Sequence, residues 1–484
     1  MENLTMLTDL YQFTMMQGYL LNRCRDKEAV FDVFFRTLPF KSGYALAAGL
    51  EQVVDYIQNL TFTEEDLDYL KNLNLFDEEF IQELRNFRFQ GDIDAVPEGT
   101  VVFPYEPLIR IKGRIFETQL LEPAILNLIN FETLIATKAS RVIAAAGGGQ
   151  VMEFGLRRAQ GPDAGILGAR SAFIGGCQST SNVLAGKRFG IPVSGTQAHS
   201  WIQCFPSELE AFRAYARTFP DNCILLVDTY NVLESGVPNA IKVGLELEAE
   251  GHRFRGIRLD SGDLTYLSKE ARRMLDEAGL KDAIIVASND LDEETIFAIK
   301  AHGARIDAWG VGTHLITSKD SPSLGGVYKL VAEGENGVFQ PCLKVSENIT
   351  KITNPGIKKI VRFYDQAGKA MADVIALEDE SFIPEEPLEI FDPIQTWKRK
   401  TLKNFRTRDL LVPVFRGGKL VCELPNLKDI RTYARNELDS LWEEVKRLTN
   451  PHTYIVDLSV KLYELKQQLL LEINNNIKEN KIRG

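Results

Sequence analysis

The feature that most narrows what this chain can fold into lies between about residues 150 and 325. There, short β-like runs each end in a polar, often glycine-containing cluster and pass into a helical stretch. VMEFGLRR leads into a helix ending near Gly190, IPVSGTQAH into SELEAFRAYARTF, and CILLVDTY into SGVPNAIKVGLELEAEG. RGIRLDSGD leads into LTYLSKEARRMLDEAG, AIIVASND into LDEETIFAIKAHG, and DAWGVGTH into the loop before Gly325. Strands that alternate with helices pair in parallel, and in such folds chemistry gathers at the carboxyl ends of the strands. Those ends are where the unusual residues of this segment fall. The pattern alone fits an open sheet or an irregular barrel. A barrel is favoured, because so many polar strand ends would converge on one mouth.

The flanks differ. The first hundred residues read as mainly helical, with Thr8 and Asp9 opening a helix whose apolar face holds Leu10, Phe13 and Tyr19, and a second helix near SGYALAAGLEQVVDYI. Residues 91–119 alternate apolar runs with Pro and Gly and read as a small β unit. Beyond about residue 350 the chain is mixed and in places basic, then ends in helices such as LDSLWEEVKRL and VDLSVKLYELKQQLLLEI. A chain of 484 residues is too long for one ordinary domain. The expected organisation is α/β: N-terminal helical and β segments over 1–120, an irregular (β/α) barrel over 121–345, and over 346–484 return segments to the mixed α+β N-terminal domain followed by an α-helical C-terminal extension.

Composition removes several function classes. At 44% hydrophobic and 25% charged residues the chain should fold throughout. A formal charge of -11 argues against a broad nucleic-acid or anionic-membrane surface, so an anionic substrate would need local cationic groups. The six cysteines are scattered without a CxxC pair, which points to reduced thiols rather than a disulfide framework or zinc site. The N-terminus has no basic region leading into an apolar core, and no apolar run approaches the roughly 20 residues of a membrane span. A cytoplasmic protein is expected.

Five strand-end clusters could carry chemistry. In SGTQAHSW, Thr196, His199 and Ser200 could face one ligand across Gly195, with His199 a nucleophile or proton carrier, or else a hydrogen-bonded structural histidine. In GIRLDSGDL, Arg258 offers a planar fork to a carboxylate or phosphate, while Asp260 and Asp263 could orient ribose hydroxyls, a Mg²⁺ shell or His199. A simple Asp-Ser-Gly turn with a helix cap accounts for Asp263 but poorly for Arg258. Ser288 and Asn289 in SNDLDEE, and Gly310, Gly312 and Thr313 in WGVGTHL, suit phosphate. In EFGLRRAQGPD, Phe154 could stack on a flat ring while Arg157 and Arg158 neutralise phosphate, unless they are a core aromatic and surface arginines.

Two further signals are weaker. Asp228 sits in VDTYN, and Lys344, Lys351, Lys358 and Lys359 surround a Pro-Gly turn that is either a polyphosphate clamp or a solvated basic face. No G-x-x-x-x-G-K-[ST] loop, H-E-x-x-H pair or strand-end lysine for Schiff-base chemistry is present.

TDLYQFTM, FFRTLPF, EFGLRRAQGPD, SGTQAHSW, VDTYNVLESGVPNAI, IRLDSGDL, WGVGTHL and KITNPGIKK together resemble the nicotinate phosphoribosyltransferase family, in that family's order and across nearly the whole chain. The resemblance implies a type II phosphoribosyltransferase that joins nicotinate to 5-phosphoribosyl-1-pyrophosphate, giving nicotinate mononucleotide and pyrophosphate, the entry step of NAD salvage. It further implies an ATP-dependent, ligase-class enzyme that works through phosphohistidine at His199, with Mg²⁺ assisting, as a homodimer with shared active sites. On the same basis His199 and Asp260 are the catalytic residues, Asp260 in a segment that would hold the phosphoribosyl or pyrophosphate group, nicotinate lies between Phe154 and the partner subunit's Tyr11, and Thr196 and Arg258 serve its carboxylate. Arg36, Arg157, Gly310, Gly312, Thr313, Lys344 and Lys351 fall in segments that would hold phosphoribosyl or pyrophosphate groups. Ser181, in QSTSNVLAG, stands where nicotinamide-using relatives carry a carboxylate, so an anionic base is preferred. A nicotinamide phosphoribosyltransferase, a barrel lyase or metal-dependent hydrolase, and an inactive metabolite sensor are the competing expectations.

Overall fold

A computed structural model describes residues 3–348 and 351–483. The chain divides into two compact units, one formed by residues 1–134 with 323–484 and the other by residues 135–322.

The second unit holds the alternating segment. Its strands are β1 (Gln150–Glu153), β2 (Ser179–Thr180), β3 (Ile224–Leu226), β4 (Gly256–Leu259), β5 (Ile284–Asn289) and β6 (Ala308–Val311). They pair in the order β2-β1-β6-β5-β4-β3, every pair parallel. Val151, Leu225, Ile257, Ile285, Trp309 and Val311 are almost wholly buried, as expected when helices flank a parallel sheet. The strand-to-helix loops end in polar caps that satisfy otherwise orphaned N–H groups. Asn182 accepts from Ala185 N, Asp263 from Thr265 N and Tyr266 N, and Asp292 from Thr295 N. Asp263 is therefore a cap for the helix Leu264–Glu277 rather than a ligand of the cleft described below. Beyond β2 one further bridge joins Thr180 to Val193.

The first unit is built on a seven-stranded antiparallel sheet. Glu28–Phe34 pairs on one side with Val327–Glu335 and on the other with Ile109–Arg114, so residues from opposite ends of the sequence share one ladder. Asp92–Ala95 and Val412–Arg416 extend it. Glu28–Phe34 is a buried strand within a stretch expected to be mainly helical, whereas the helices Leu10–Leu21 and Leu50–Gln58 and the strands of 91–119 lie where their patterns placed them.

The C-terminal stretch ends in the helices Leu427–Ser440, Glu443–Lys446 and Val460–Arg483, but it also carries a sheet. Residues 346–484 contain a four-stranded sheet, Arg406–Asp409, Lys358–Tyr364, Ala370–Leu377 and Val456–Leu458, before and between their helices. KKIVRFY and AMADVIAL are β-rich and pair over their full lengths. Two cations organise this region. Lys358 is buried, its Nζ 2.8 Å from Asp32 and 2.8 Å from the carbonyl of Gly356, so it belongs to neither a phosphate clamp nor a solvated face. Arg362, fully buried, pairs with Asp373 at 2.6 Å and with Glu437 at 2.9 Å. Among the described residues no helix is long and apolar enough to cross a membrane.

Candidate active site

The carboxyl ends of the parallel strands open into a cleft of about 520 Å³ in the second unit. Arg258, near the end of β4, is its hub. Its Nε donates to Ser288 Oγ at 2.8 Å, one terminal nitrogen to Thr196 Oγ1 at 2.9 Å, and the other to Asp260 at 2.8 Å. A guanidinium has five N–H groups, so one on each terminal nitrogen remains without a partner among the described residues, the pair a planar carboxylate would engage. The guanidinium carbon also lies 5.9 Å from the centre of the Phe154 ring, just beyond β1. A flat anionic ring thus has an aromatic face and a cationic fork side by side.

Asp260 couples this fork to His199. One carboxylate oxygen receives Arg258 and the Ser288 hydroxyl, and the other lies 3.7 Å from His199 Nε2. Burial raises the Asp260 carboxyl, but the Arg258 charge, hydrogen bonds from Ser288 and Arg258, and His199 outweigh it and hold the group below its ordinary value. His199 begins a short helix, His199–Gln203, and its Nδ1 lies 3.2 Å from Thr229 Oγ1. Its side chain is 42% exposed, open to a reacting group. Asp228, the residue before Thr229, accepts from the Ser261 hydroxyl at 2.6 Å through one oxygen, while the other is buried without a hydrogen-bond partner.

The remaining walls come from loops. Leu156–Arg158 is a single tight turn whose Arg157 and Arg158 are exposed and unpaired among the described residues. Ser181, Gly310, Gly312 and Thr313 line the cleft as well, with Thr313 opening the short helix Thr313–Ile316. Gly310 has a packing role: a Cβ there would lie 2.6 Å from Phe154 Cδ2. Asn289, at the end of β5, has φ +135°, strained backbone beside the cleft.

The structure thus brings together Phe154, Arg157, Ser181, Thr196, His199, Arg258, Asp260, Gly310, Gly312 and Thr313. Tyr11, Arg36, Lys344 and Lys351 belong to the first unit and are not among the residues lining this cleft. Tyr11 is exposed on the helix Leu10–Leu21, and the Arg36 guanidinium lies 5.7 Å from the centre of the Phe34 ring. Lys344 and Lys351 are exposed.

Three residues that position this site lie within the quoted motifs without being singled out by them. Glu153, the last residue of β1, is buried. Burial raises its carboxyl, and its oxygens accept from Thr180 Oγ1 at 2.6 Å and from Gly155 N, fixing the turn that presents Phe154. Thr229 holds His199, and its place in the VDTYN strand end was the available signal. The Gln197 side chain reaches β3, its NH₂ donating to Ile224 O at 2.8 Å and its oxygen accepting from Leu226 N at 3.2 Å. No group of three or more His, Cys, Asp or Glu suited to holding a metal occurs among the described residues.

Comparison with known proteins agrees across the chain. Residues 6–130 match the nicotinate phosphoribosyltransferase (NAPRTase) N-terminal domain, 149–368 the NAPRTase family, and 357–466 the NAPRTase C-terminal domain. A nicotinate phosphoribosyltransferase of Bacillus subtilis (strain 168) is 48% identical over 479 residues, covering 99% of this chain and 97% of the relative. One from Homo sapiens is 35% identical, with 96% of each chain covered. The crystal structure of human nicotinic acid phosphoribosyltransferase superposes with a TM-score of 0.84 at 32% identity, covering 96% of this chain and 99% of the other. A nicotinate-nucleotide pyrophosphorylase from Pyrococcus furiosus shares the fold, with a TM-score of 0.70 at 24% identity over 90% of this chain and 96% of its own. With its sequence matched end to end and its cleft built on the motifs that carried the resemblance, the chain belongs to the nicotinate phosphoribosyltransferase family.

Proposed function

We propose that the protein joins nicotinate to 5-phosphoribosyl-1-pyrophosphate, forming nicotinate mononucleotide and pyrophosphate, with ATP hydrolysis coupled through a phosphoryl group on His199. The observation that carries this is the Arg258 fork beside Phe154, with His199 within reach of the same Asp260. Nicotinate would lie on Phe154 with its carboxylate on the unpaired N–H groups of Arg258 and on Thr196. The partner subunit's Tyr11 would cover its other face in a homodimer.

The C1–oxygen bond of the ribosyl donor breaks, and pyrophosphate leaves with the electron pair. The pyridine nitrogen of nicotinate then bonds to C1. That nitrogen carries no proton, so no general base is needed. Arg157 and Thr313, with Arg36, Lys344 and Lys351, would hold the phosphates as negative charge develops on the leaving group. Mg²⁺, when bound, would neutralise pyrophosphate. Asp228, with a buried unpartnered oxygen, is a fitting protein ligand for an ion held mainly by phosphate oxygens and water. In the coupling step the γ-phosphoryl of ATP passes to an imidazole nitrogen of His199 and ADP leaves. Water later takes the phosphoryl group, restoring His199 and releasing phosphate.

Ser181 in place of a carboxylate favours the anionic base over its amide. An irregular barrel is part of the same proposal, supported by the Thr180–Val193 bridge and by Gln197 reaching β3, and a cytoplasmic location goes with it. The test is to incubate protein with nicotinate, ribosyl donor and Mg²⁺, with and without ATP, and to follow mononucleotide, pyrophosphate and acid-labile protein phosphate. Mononucleotide should form, ATP should be consumed, and the labile phosphate should vanish in His199→Ala. Equal catalytic efficiency on nicotinamide would overturn the base preference.

A further inference from the structure

The first unit contains a second cleft, of about 840 Å³, that shares no residue with the first. One wall is rigid. Phe103 and Tyr454 stack with ring centres 4.1 Å apart and planes 9° apart, and the Tyr454 hydroxyl donates to Asp373 at 2.9 Å. Asp457, on the strand Val456–Leu458, also lines this cleft. It is only 5% exposed, and its carboxylate accepts no hydrogen bond among the described residues. No protein donor among the described residues holds this carboxylate, so a ligand that brings an N–H group into the cleft has an acceptor waiting for it. Burial and the neighbouring Asp392 push this carboxyl up to about 6, with Lys400 pulling the other way.

The lining also has the opposite character. Lys398 and Lys400 line the cleft with exposed side chains, and the Trp397 indole is 75% exposed. A ligand matching these features carries N–H donors, a flat ring and negative charge. The volume lies within the roughly 300–1,000 Å³ of small-molecule pockets.

We propose that this cleft is a second ligand site for a nucleotide whose base carries an exocyclic amino group, the amine donating to Asp457, the base stacking on Trp397, and the phosphate meeting Lys398 and Lys400. None of these residues lines the Arg258 cleft, and the ligand of this proposal is an effector that is not consumed.

The test titrates the full-length protein with adenosine 5′-monophosphate, following tryptophan fluorescence. Inosine 5′-monophosphate, which lacks the amine, and ribose 5-phosphate, which lacks the base, serve as comparisons. Adenosine monophosphate should quench fluorescence in the wild type and much less in Trp397→Phe. Inosine monophosphate should bind at least tenfold more weakly, and ribose 5-phosphate more weakly still. Asp457→Leu should lose at least tenfold in affinity for adenosine monophosphate while leaving turnover without the nucleotide unchanged. Should Asp457→Leu fail to fold, the exposed double change Lys398→Glu with Lys400→Glu should weaken both nucleotides alike. Equal binding of the two nucleotides, or adenosine monophosphate binding unchanged in the variant that folds, would overturn the proposal.

Discussion

The ring of Phe154 occupies the space that a side chain at position 310 would need, since a Cβ on Gly310 would lie 2.6 Å from its Cδ2 and 2.8 Å from its Cε2. Glycine in WGVGTHL is thus required by packing as much as by any backbone contact with phosphate. Gly310→Ala is expected to tilt the ring, raise KM for nicotinate about tenfold, and cost about 1–3 kcal/mol of stability. Steady-state kinetics with thermal melting would check both, and an unchanged KM would show that Phe154 does not form the base's resting face.

Arg258 spends its planar geometry on three partners at once, Ser288, Thr196 and Asp260. Lysine keeps the charge but cannot hold that fork. Arg258→Lys should lower kcat/KM about 100-fold, equivalent to about 2.7 kcal/mol of transition-state stabilisation. A loss under threefold would mean that charge alone suffices.

Asp260 is held below its ordinary carboxylate value, so its ionised form is preferred in the folded protein. Its stabilising contribution is complete above the unfolded-state pKa and is lost as pH falls through the depressed folded value. Asp260→Asn should flatten that acid limb of a melting-temperature profile. An acid limb identical to wild type would show that Arg258 and Ser288 gain nothing from the charge.

Arg362 has no route to solvent and neutralises Asp373 and Glu437. Arg362→Leu would leave both carboxylates buried without it, at a cost of about 3–5 kcal/mol. Arg408, which also pairs with Glu437 but is more exposed, should cost less when changed to alanine. Urea unfolding midpoints compare the two, and equal losses would contradict the role assigned to burial.

The strand-end clusters were legible because parallel βα units place the ends of consecutive strands on one side of a sheet, whatever the helix lengths between them. Phe154, Arg258 and Asp260 meet for that reason, while Thr196 and His199 join them from the loop and short helix after the single bridge at Val193. Glu153 was missed because a carboxylate at the end of a strand looks like any surface acid until Thr180 and Gly155 close around it. Lys358 misled because its basic neighbours suggested a polyphosphate clamp or a solvated face, whereas its partner, Asp32, is more than 300 residues away in sequence. The strand Glu28–Phe34 was hidden for the same reason: its ladder is made with distant segments, and local periodicity does not report them.

The pairing of Glu28–Phe34 with Val327–Glu335 also imposes an order in time. A ribosome makes EAVFDVF early and must add about 300 residues before that partner exists, which takes on the order of 15–60 s at ordinary rates of synthesis. Throughout that interval one edge of a strongly apolar strand has no native neighbour and can template association between nascent chains. The inserted second unit, whose segments are contiguous, can fold meanwhile. Slowing elongation within residues 135–322 should therefore favour aggregation of unfinished chains, and a chaperone that shields the waiting strand should counter it.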